Sequence, residues 1–411
     1  MKYTKFTNCN LIDNGITYFD SELFINNETG KIIDDPKDNA NTKIVDLNGK
    51  YLAPGLIDIQ NNGFFGLNFS NLDGNSSKED IDEYKRFYND VMAKFLETGV
   101  TGVCPTITSN FAEVYEKVLP ILKRSRTNYM TDSLGAHCEG PFISLLKKGC
   151  HPTETFVDAK EGSSKIDHVY GDKNFENISI ITAAPEIDGI IDIIPYLKSK
   201  NIIYSIGHTN ADYETGLKAI EQGATMITHL YNAMPQPHHR DPGVLGLINN
   251  PITNDAPYFG LICDGIHVDA SMASLAYKSH PDKCVLTTDA IFMFGLEDGT
   301  YKWDKRNIVK DGFRLCLEGT KTLAGSGTSL IQCVRNLIKW TNIPLAQAIK
   351  TATNNAAMSL NLQNQKGFLT VGCDADLIVL DDNCIIQSIY KLGKSIRVND
   401  QNHPGNLIAN L

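Results

Sequence analysis

The sequence predicts an α/β fold: a (β/α)8 barrel of the TIM type with a small β-sandwich formed jointly by the two chain ends. Three observations carry this. Apolar strand-like runs recur eight times through the middle of the 411-residue chain, at residues 55–60, 102–106, 134–139, 178–184, 202–208, 225–229, 258–263 and 284–289. Helical patterns lie between them, as parallel strands require. Both chain ends instead alternate short β-prone runs with turn signals.

The N-terminal runs are 11–16, 23–25 and 42–47, punctuated by Asn14-Gly15 and Asn48-Gly49. In the first helix of the barrel, 79–97, Ile81, Tyr84, Phe87, Tyr88, Val91 and Phe95 recur near a 3.6-residue period, and Gly99 supplies the stop. Further helical patterns fit 111–123, 188–200, 210–222 and 269–280, with two more, 329–340 and 344–360, after the eighth strand. Residues 158–173 read as a solvated lid or insertion. The C-terminal module has Gly367-Phe368 and Val371-Gly372 turns and strands at 376–380 and 385–390. The expected division is therefore 1–52 and 366–411 for the sandwich and 53–365 for the barrel.

Composition narrows the function. The 38 basic and 48 acidic residues leave a net charge of −10, which repels phosphate backbones and argues against a nucleic-acid partner. No apolar run approaches the roughly 20 residues of a membrane helix, and the N-terminus lacks the apolar segment of a secretory signal. The ten cysteines occur without a C-x-x-C pair, as expected of reduced thiols in a cytoplasmic protein. Sequons at Asn27 and Asn68 then read as chance matches.

In such a barrel the site is built at the C-terminal ends of the strands, and these ends are polar. Strand three ends in Glu139, strand five in His208, strand six in His229 and strand eight in Asp289; strand seven runs into Asp264-Gly265-Ile266-His267. Two imidazoles and a carboxylate suit a catalytic zinc that keeps a position for water. An aspartate outside the ligand set could take the water's proton and return it to a leaving group, which is the division of labour of a hydrolase. A single histidine is more often a hydrogen-bonded core or surface residue than a ligand, so spacing alone leaves both readings open.

An ordered series of motifs extends across nearly the whole chain: PGLID from Pro54, HCEGPFIS from His137, KKGCHP from Lys147, IGHT from Ile206 and THLYNAM from Thr228. It continues with HHRDPG from His238, CDGIH from Cys263, TTDA from Thr287, LAGS from Leu323 and GCDADLIVLD from Gly372. In this series the chain resembles the amidohydrolase superfamily and, within it, the N-acetylglucosamine-6-phosphate deacetylases. The resemblance implies hydrolysis of the acetamide of N-acetyl-D-glucosamine 6-phosphate to D-glucosamine 6-phosphate and acetate, in amino-sugar catabolism. It implies Glu139, His208 and His229 as metal ligands and Asp289 as general base and acid. His151 would contact the substrate near its acyl group, Arg240 and His267 would supply charge to the phosphate, and Asn232 and Ala233 would supply donors. Leu323, Ala324 and Gly325 would pack on the sugar, and Cys150 and Asp264 complete the substrate-binding positions, although neither Cys138 nor Cys150 has a chemical role assigned. Part of the phosphate site comes from the neighbouring subunit in that family, which implies a homodimer. His238 and His239 read as loop structure.

One departure matters. The superfamily's His-x-His pair after strand one is here Gln60-x-Asn62, and amides are poor ligands for a transition metal. The expectation is one divalent ion per subunit, zinc first among those the ligand set accepts, with Gln60 and Asn62 either at the site or merely capping the strand. Two rival readings are a hydrolase of cyclic amides and a catalytically silent scaffold. The first usually needs a strand-four lysine that 178–184 lacks; the second should have lost a ligand or Asp289.

Overall fold

The computed structural model describes residues 1–249, 256–303 and 306–396; the end of the expected C-terminal module, 397–411, lies outside them. Eight parallel strands form the barrel: Leu56–Asn61, Val100–Thr108, Ala136–Glu139, Ile178–Ala183, Ile203–Ile206, Met226–Ile227, Tyr258–Leu261 and Cys284–Leu286. Each pairs in parallel with the next. The ring closes just beyond the first and eighth strands, where Asp289 N–H donates to the Gln60 carbonyl at 3.0 Å and Asn62 N–H to the Ala290 carbonyl at 2.7 Å.

The period-two alternation of a strand sorts the apolar residues into two cores. Ile57, Ile59, Cys104, Leu134, Ile180, Met226 and Val285 form one inside the barrel, closed by Ala356, Ala357 and Leu360 from the last helical segment. Leu56, Val103, Cys138, Ile181, Ile206, Phe259 and Leu286 belong to a second, larger one shared with the surrounding helices. A packed interior confines solvent, and hence chemistry, to the rim.

Four helices start where the sequence provides a side-chain acceptor for their free N–H groups. Ser77 and Asp80 form a reciprocal capping box on Lys78–Leu96, and Asp212, Asp269 and Ser329 cap Tyr213–Gln222, Ala270–Ser279 and Leu330–Thr341. In Lys78–Leu96 the buried face is narrower than the periodicity suggests, because Phe87 is 41% exposed. The pattern at 111–123 yields only Ala112–Val118, and 344–360 is interrupted at Thr353 into Leu345–Ala352 and Asn354–Ser359.

Two sequence expectations need correction. Residues 158–173 contain Ser163–Tyr170, a helix that buries Ile166, Val169 and Tyr170, so much of this segment is a packed barrel helix rather than a solvated lid. The charged residues that suggested a lid occupy only its outer face. The run 11–16 is divided by Asn14 and Gly15, at φ 47° and 79°, which turn Tyr3–Asp13 back into Ile16–Asn26.

The chain ends meet in one forked sheet. Tyr3–Asp13 pairs with Thr42–Asp46 near its start and with Tyr51–Pro54 near its end; Tyr51–Pro54 then pairs with Leu377–Leu380. The two branches share a core of Phe6, Leu23, Ile25, Leu52, Leu377 and Val379. A further antiparallel sheet, unforeseen in the sequence, follows strand eight: Gly299–Trp303, Arg306–Asp311, Arg314–Leu317 and Leu323–Ser326. No helix among the described residues is long and apolar enough to cross a membrane, and all ten cysteines are free thiols.

Candidate active site

Three of the polar strand ends project their side chains to one point. His208 and His229 Nε2 lie 3.2 and 2.9 Å from Glu139 Oε1 and 3.1 Å from each other, all buried. The backbone pays a conformational cost to do this. His208, His229 and Asp289 have φ of 48°, 32° and 48°, a left-handed region that costs a residue with a side chain about 1–3 kcal/mol and is concentrated at functional sites.

The donor set fits a divalent metal. The His208 ring donates its Nδ1 proton to the Lys147 carbonyl at 2.8 Å, which leaves Nε2 as a lone pair facing Glu139 and His229. Burial would raise Glu139, but hydrogen bonds and charge from the two histidines outweigh it and hold the carboxylate well below its usual range. Burial likewise opposes the protonation of His229, and Glu139 reverses the effect, raising its pKa. A cation in the middle would serve the same carboxylate. His137, two residues before Glu139, is not part of this set: its nitrogens bond the Ile59 carbonyl and Thr182 Oγ1, and burial pushes its pKa down to about 4.

Gln60 and Asn62 reach the site rather than only capping strand one. Gln60 Nε2 donates to Glu139 Oε1 at 2.9 Å, and Asn62 Nδ2 donates to Asp289 Oδ1 at 2.7 Å. The positions of the missing histidine pair are thus occupied by amide donors to the two carboxylates. Beneath them, Asp58 accepts from Asn61, Thr287 and Thr288 and ties strand one to strand eight. Burial, followed by repulsion from Glu139, raises Asp289 to about 7.

A cleft of about 160 Å³ opens onto this cluster. Of the positions named from sequence, Glu139, Cys150, His151, His208, His229, Asn232, Ala233, His267, Asp289, Leu323, Ala324 and Gly325 line it. Asp264 lies behind His267, bonding its Nδ1 at 2.7 Å and, through the other oxygen, the backbone N–H groups of Ile266 and His267 at 2.8 Å. Burial disfavours the charged imidazole, but Asp264 outweighs it and raises the pKa of His267. Arg240 is exposed and does not line its own chain's cleft.

His151 is held the opposite way to His267. Its Nδ1 accepts from Ser109 N–H at 3.2 Å, which places the ring proton on Nε2. Burial, then the neighbouring His208, depresses its pKa to about 3. Gly140 admits Ser109 to this position: a Cβ there would stand 2.1 Å from Ser109 Oγ, and its φ is +84°. Sequence reasoning missed Thr108, Ile291 and Trp303 on the cleft wall. Trp303, one of two tryptophans, offered a compositional hint, but its sheet had not been foreseen.

The profile of the Amidohydrolase family matches residues 51–400. The chain belongs to the amidohydrolase family. Its relatives there include the N-acetylglucosamine-6-phosphate deacetylase of Caenorhabditis elegans, 40% identical over 86% of this chain and 84% of its own length. The protein of that name from Homo sapiens is 36% identical, covering 95% of each chain, and that of Bacillus subtilis (strain 168) is 32% identical over 85% of each. The crystal structure of N-acetylglucosamine-6-phosphate deacetylase from Pasteurella multocida superposes on this amidohydrolase with a TM-score of 0.82 at 26% identity, over 96% of this chain and 99% of that one.

Proposed function

We propose that this amidohydrolase is a metal-dependent deacetylase that hydrolyses the acetamide of N-acetyl-D-glucosamine 6-phosphate to D-glucosamine 6-phosphate and acetate. The observation that carries the reading is the convergence of Glu139, His208 and His229 beside Asp289, in a cleft also lined by His267, which Asp264 holds from behind. The names and coverage of the relatives support the same substrate.

Glu139, His208 and His229 would hold one divalent ion, proposed as zinc, which when bound acidifies water and polarises a carbonyl. Asp289 takes the attacking water's proton as the C–O bond forms. Gln60 and Asn62 direct their amides to Oδ1, which leaves Oδ2 for that proton. As the C–N bond breaks, Asp289 returns the proton to the departing nitrogen, giving the free amine. His151, neutral with its proton on Nε2, donates to the acyl oxygen as charge develops there.

The His267 imidazolium, stabilised by Asp264, pairs with the phosphate, and Asn232 and Ala233 supply donors beside it. Arg240, exposed on its own subunit, serves the same phosphate from the neighbouring copy in a homodimer. Leu323, Ala324, Gly325 and Cys150 form the wall against the sugar. Activity is assigned to the cytoplasm, where buried thiols remain reduced.

The test is acetate and amine release from N-acetyl-D-glucosamine 6-phosphate beside the unphosphorylated sugar, on protein of measured metal content. Release that strongly favours the phosphorylated sugar is expected. No release from metal-loaded protein would overturn the assignment.

A further inference from the structure

The antiparallel sheet 299–326 is joined to the reacting centre at one end and to the His151 loop at the other. At its base, Ser326 N–H donates to the Asp289 carbonyl at 3.0 Å and Ile291 N–H to the Ser326 carbonyl at 3.2 Å. At its tip, Arg306 Nη2 donates to the Cys150 carbonyl at 3.1 Å, next to His151, while Cys150 Sγ donates to the Leu323 carbonyl at 3.1 Å. Trp303 pairs with Arg306 across the hairpin, with the guanidinium 5.2 Å from the ring centroid. These bonds fix the indole relative to the aspartate and the imidazole that flank the reacting carbon.

The wall that results is apolar. Ile291, Trp303 and Ala324 belong to one small hydrophobic cluster, and all three line the cleft. In a 2-acylamino hexose 6-phosphate, the acyl group and the phosphate leave the ring from opposite ends. With His267 marking the anion end, the acyl methyl points toward the Cys150–His151 side, where Trp303 stands.

We propose that Trp303, backed by Ile291 and Ala324 and anchored through Arg306, is the stop of the acyl pocket and a specificity-determining residue that restricts the amide to acetyl. The inference rests on the deacetylase reading above. Rejection is steric: an added methylene must displace an indole held by Arg306 and packed on the small hydrophobic cluster, and one misfitted methylene costs about tenfold or more in kcat/KM.

The experiment compares kcat/KM for N-acetyl-, N-propionyl- and N-butyryl-D-glucosamine 6-phosphate, by amine release, in the metal-loaded wild type, Trp303→Ala and Trp303→Phe. The butyryl-to-acetyl ratio is the readout, since absolute rates also respond to any loss of packing. The expected result is a wild-type fall of about tenfold per added methylene. Trp303→Ala should raise the ratio about tenfold or more, and Trp303→Phe should raise it less. If the alanine variant fails to fold, the phenylalanine variant decides, because a smaller ring must still relax the ratio. An unchanged ratio in a folded variant overturns the inference, as does a wild type that accepts butyryl as readily as acetyl, or a variant that changes preference between epimeric sugars but not between acyl chains. Wild-type activity on the acetyl sugar with any of these results leaves the deacetylase assignment standing; no activity on that sugar overturns both.

Discussion

His208, His229 and Asp289 all turn into left-handed backbone at the ends of their strands, and this brings their side chains over the barrel mouth. Two variants follow directly. His208→Ala and His229→Ala should each lose the bound metal together with activity, which elemental analysis of the purified proteins checks. Asn62→Ala removes a hydrogen bond that favours the Asp289 carboxylate. With Asp289 as the proposed base, which acts deprotonated, the acid limb of the kcat/KM profile should move to higher pH, by about one to two units for the loss of one hydrogen bond to a charged group; a limb that stays in place or moves down contradicts the role given to Asn62. The polar strand ends were legible in the sequence because a barrel puts chemistry at that position in every strand. The task of Gln60 and Asn62 was not, since an amide that bonds a carboxylate and one that caps a strand read alike until the partner is placed.

At the scale of elements, alternation made the eight strands legible, and their order along the chain is their order around the ring. The sheet of Gly299–Trp303, Arg306–Asp311, Arg314–Leu317 and Leu323–Ser326 escaped because its strands are only four to six residues long and few of those residues are buried, so the outward and inward periods are weak. The helix Ser163–Tyr170 escaped because charges flank it, although its buried tyrosine supports the site loop. Tyr115 and Tyr170 both donate to the Gly140 carbonyl, at 3.2 and 2.8 Å, one residue beyond Glu139. Either Tyr→Phe change alone should cost about 1 kcal/mol, since the carbonyl keeps one partner; both together should cost about 1–3 kcal/mol more than a single change, as a buried acceptor is left unmet. Denaturant unfolding of the three variants measures this.

Across the whole molecule, a buried ionic knot joins the terminal sheet to the barrel. Lys391 Nζ lies 2.8 Å from Asp132 and 3.0 Å from Asp376, and Lys366 bonds Asp132, Asp374 and Asp376. The three aspartates alone resemble a metal site, but Lys366 and Lys391, together with Lys31 and Arg126 on Asp374, already pair their charge. Lys391→Met should destabilise the protein by about 3–5 kcal/mol, because it leaves the buried Asp132 and Asp376 to share the single cation Lys366. Burial would raise Asp374, yet Lys366, Arg126 and Lys31 bring it down to about 2. A depressed carboxylate contributes stability above its unfolded pKa, near 4, and loses it as pH falls toward 2. Thermal unfolding followed from pH 5 to pH 2 should therefore show a steep decline over that interval. The chain-end pairing was legible from matching β patterns; the knot was not, because Asp132 precedes its partners Lys366 and Lys391 by more than 200 residues. The metal content and single-turnover rate of Asp289→Asn with N-acetyl-D-glucosamine 6-phosphate test the proposed division of labour between metal and aspartate most sharply. About one divalent ion per chain, retained substrate binding and a rate lowered by about 10²–10⁴-fold are expected; near wild-type turnover, or turnover in protein stripped of metal, would rule it out.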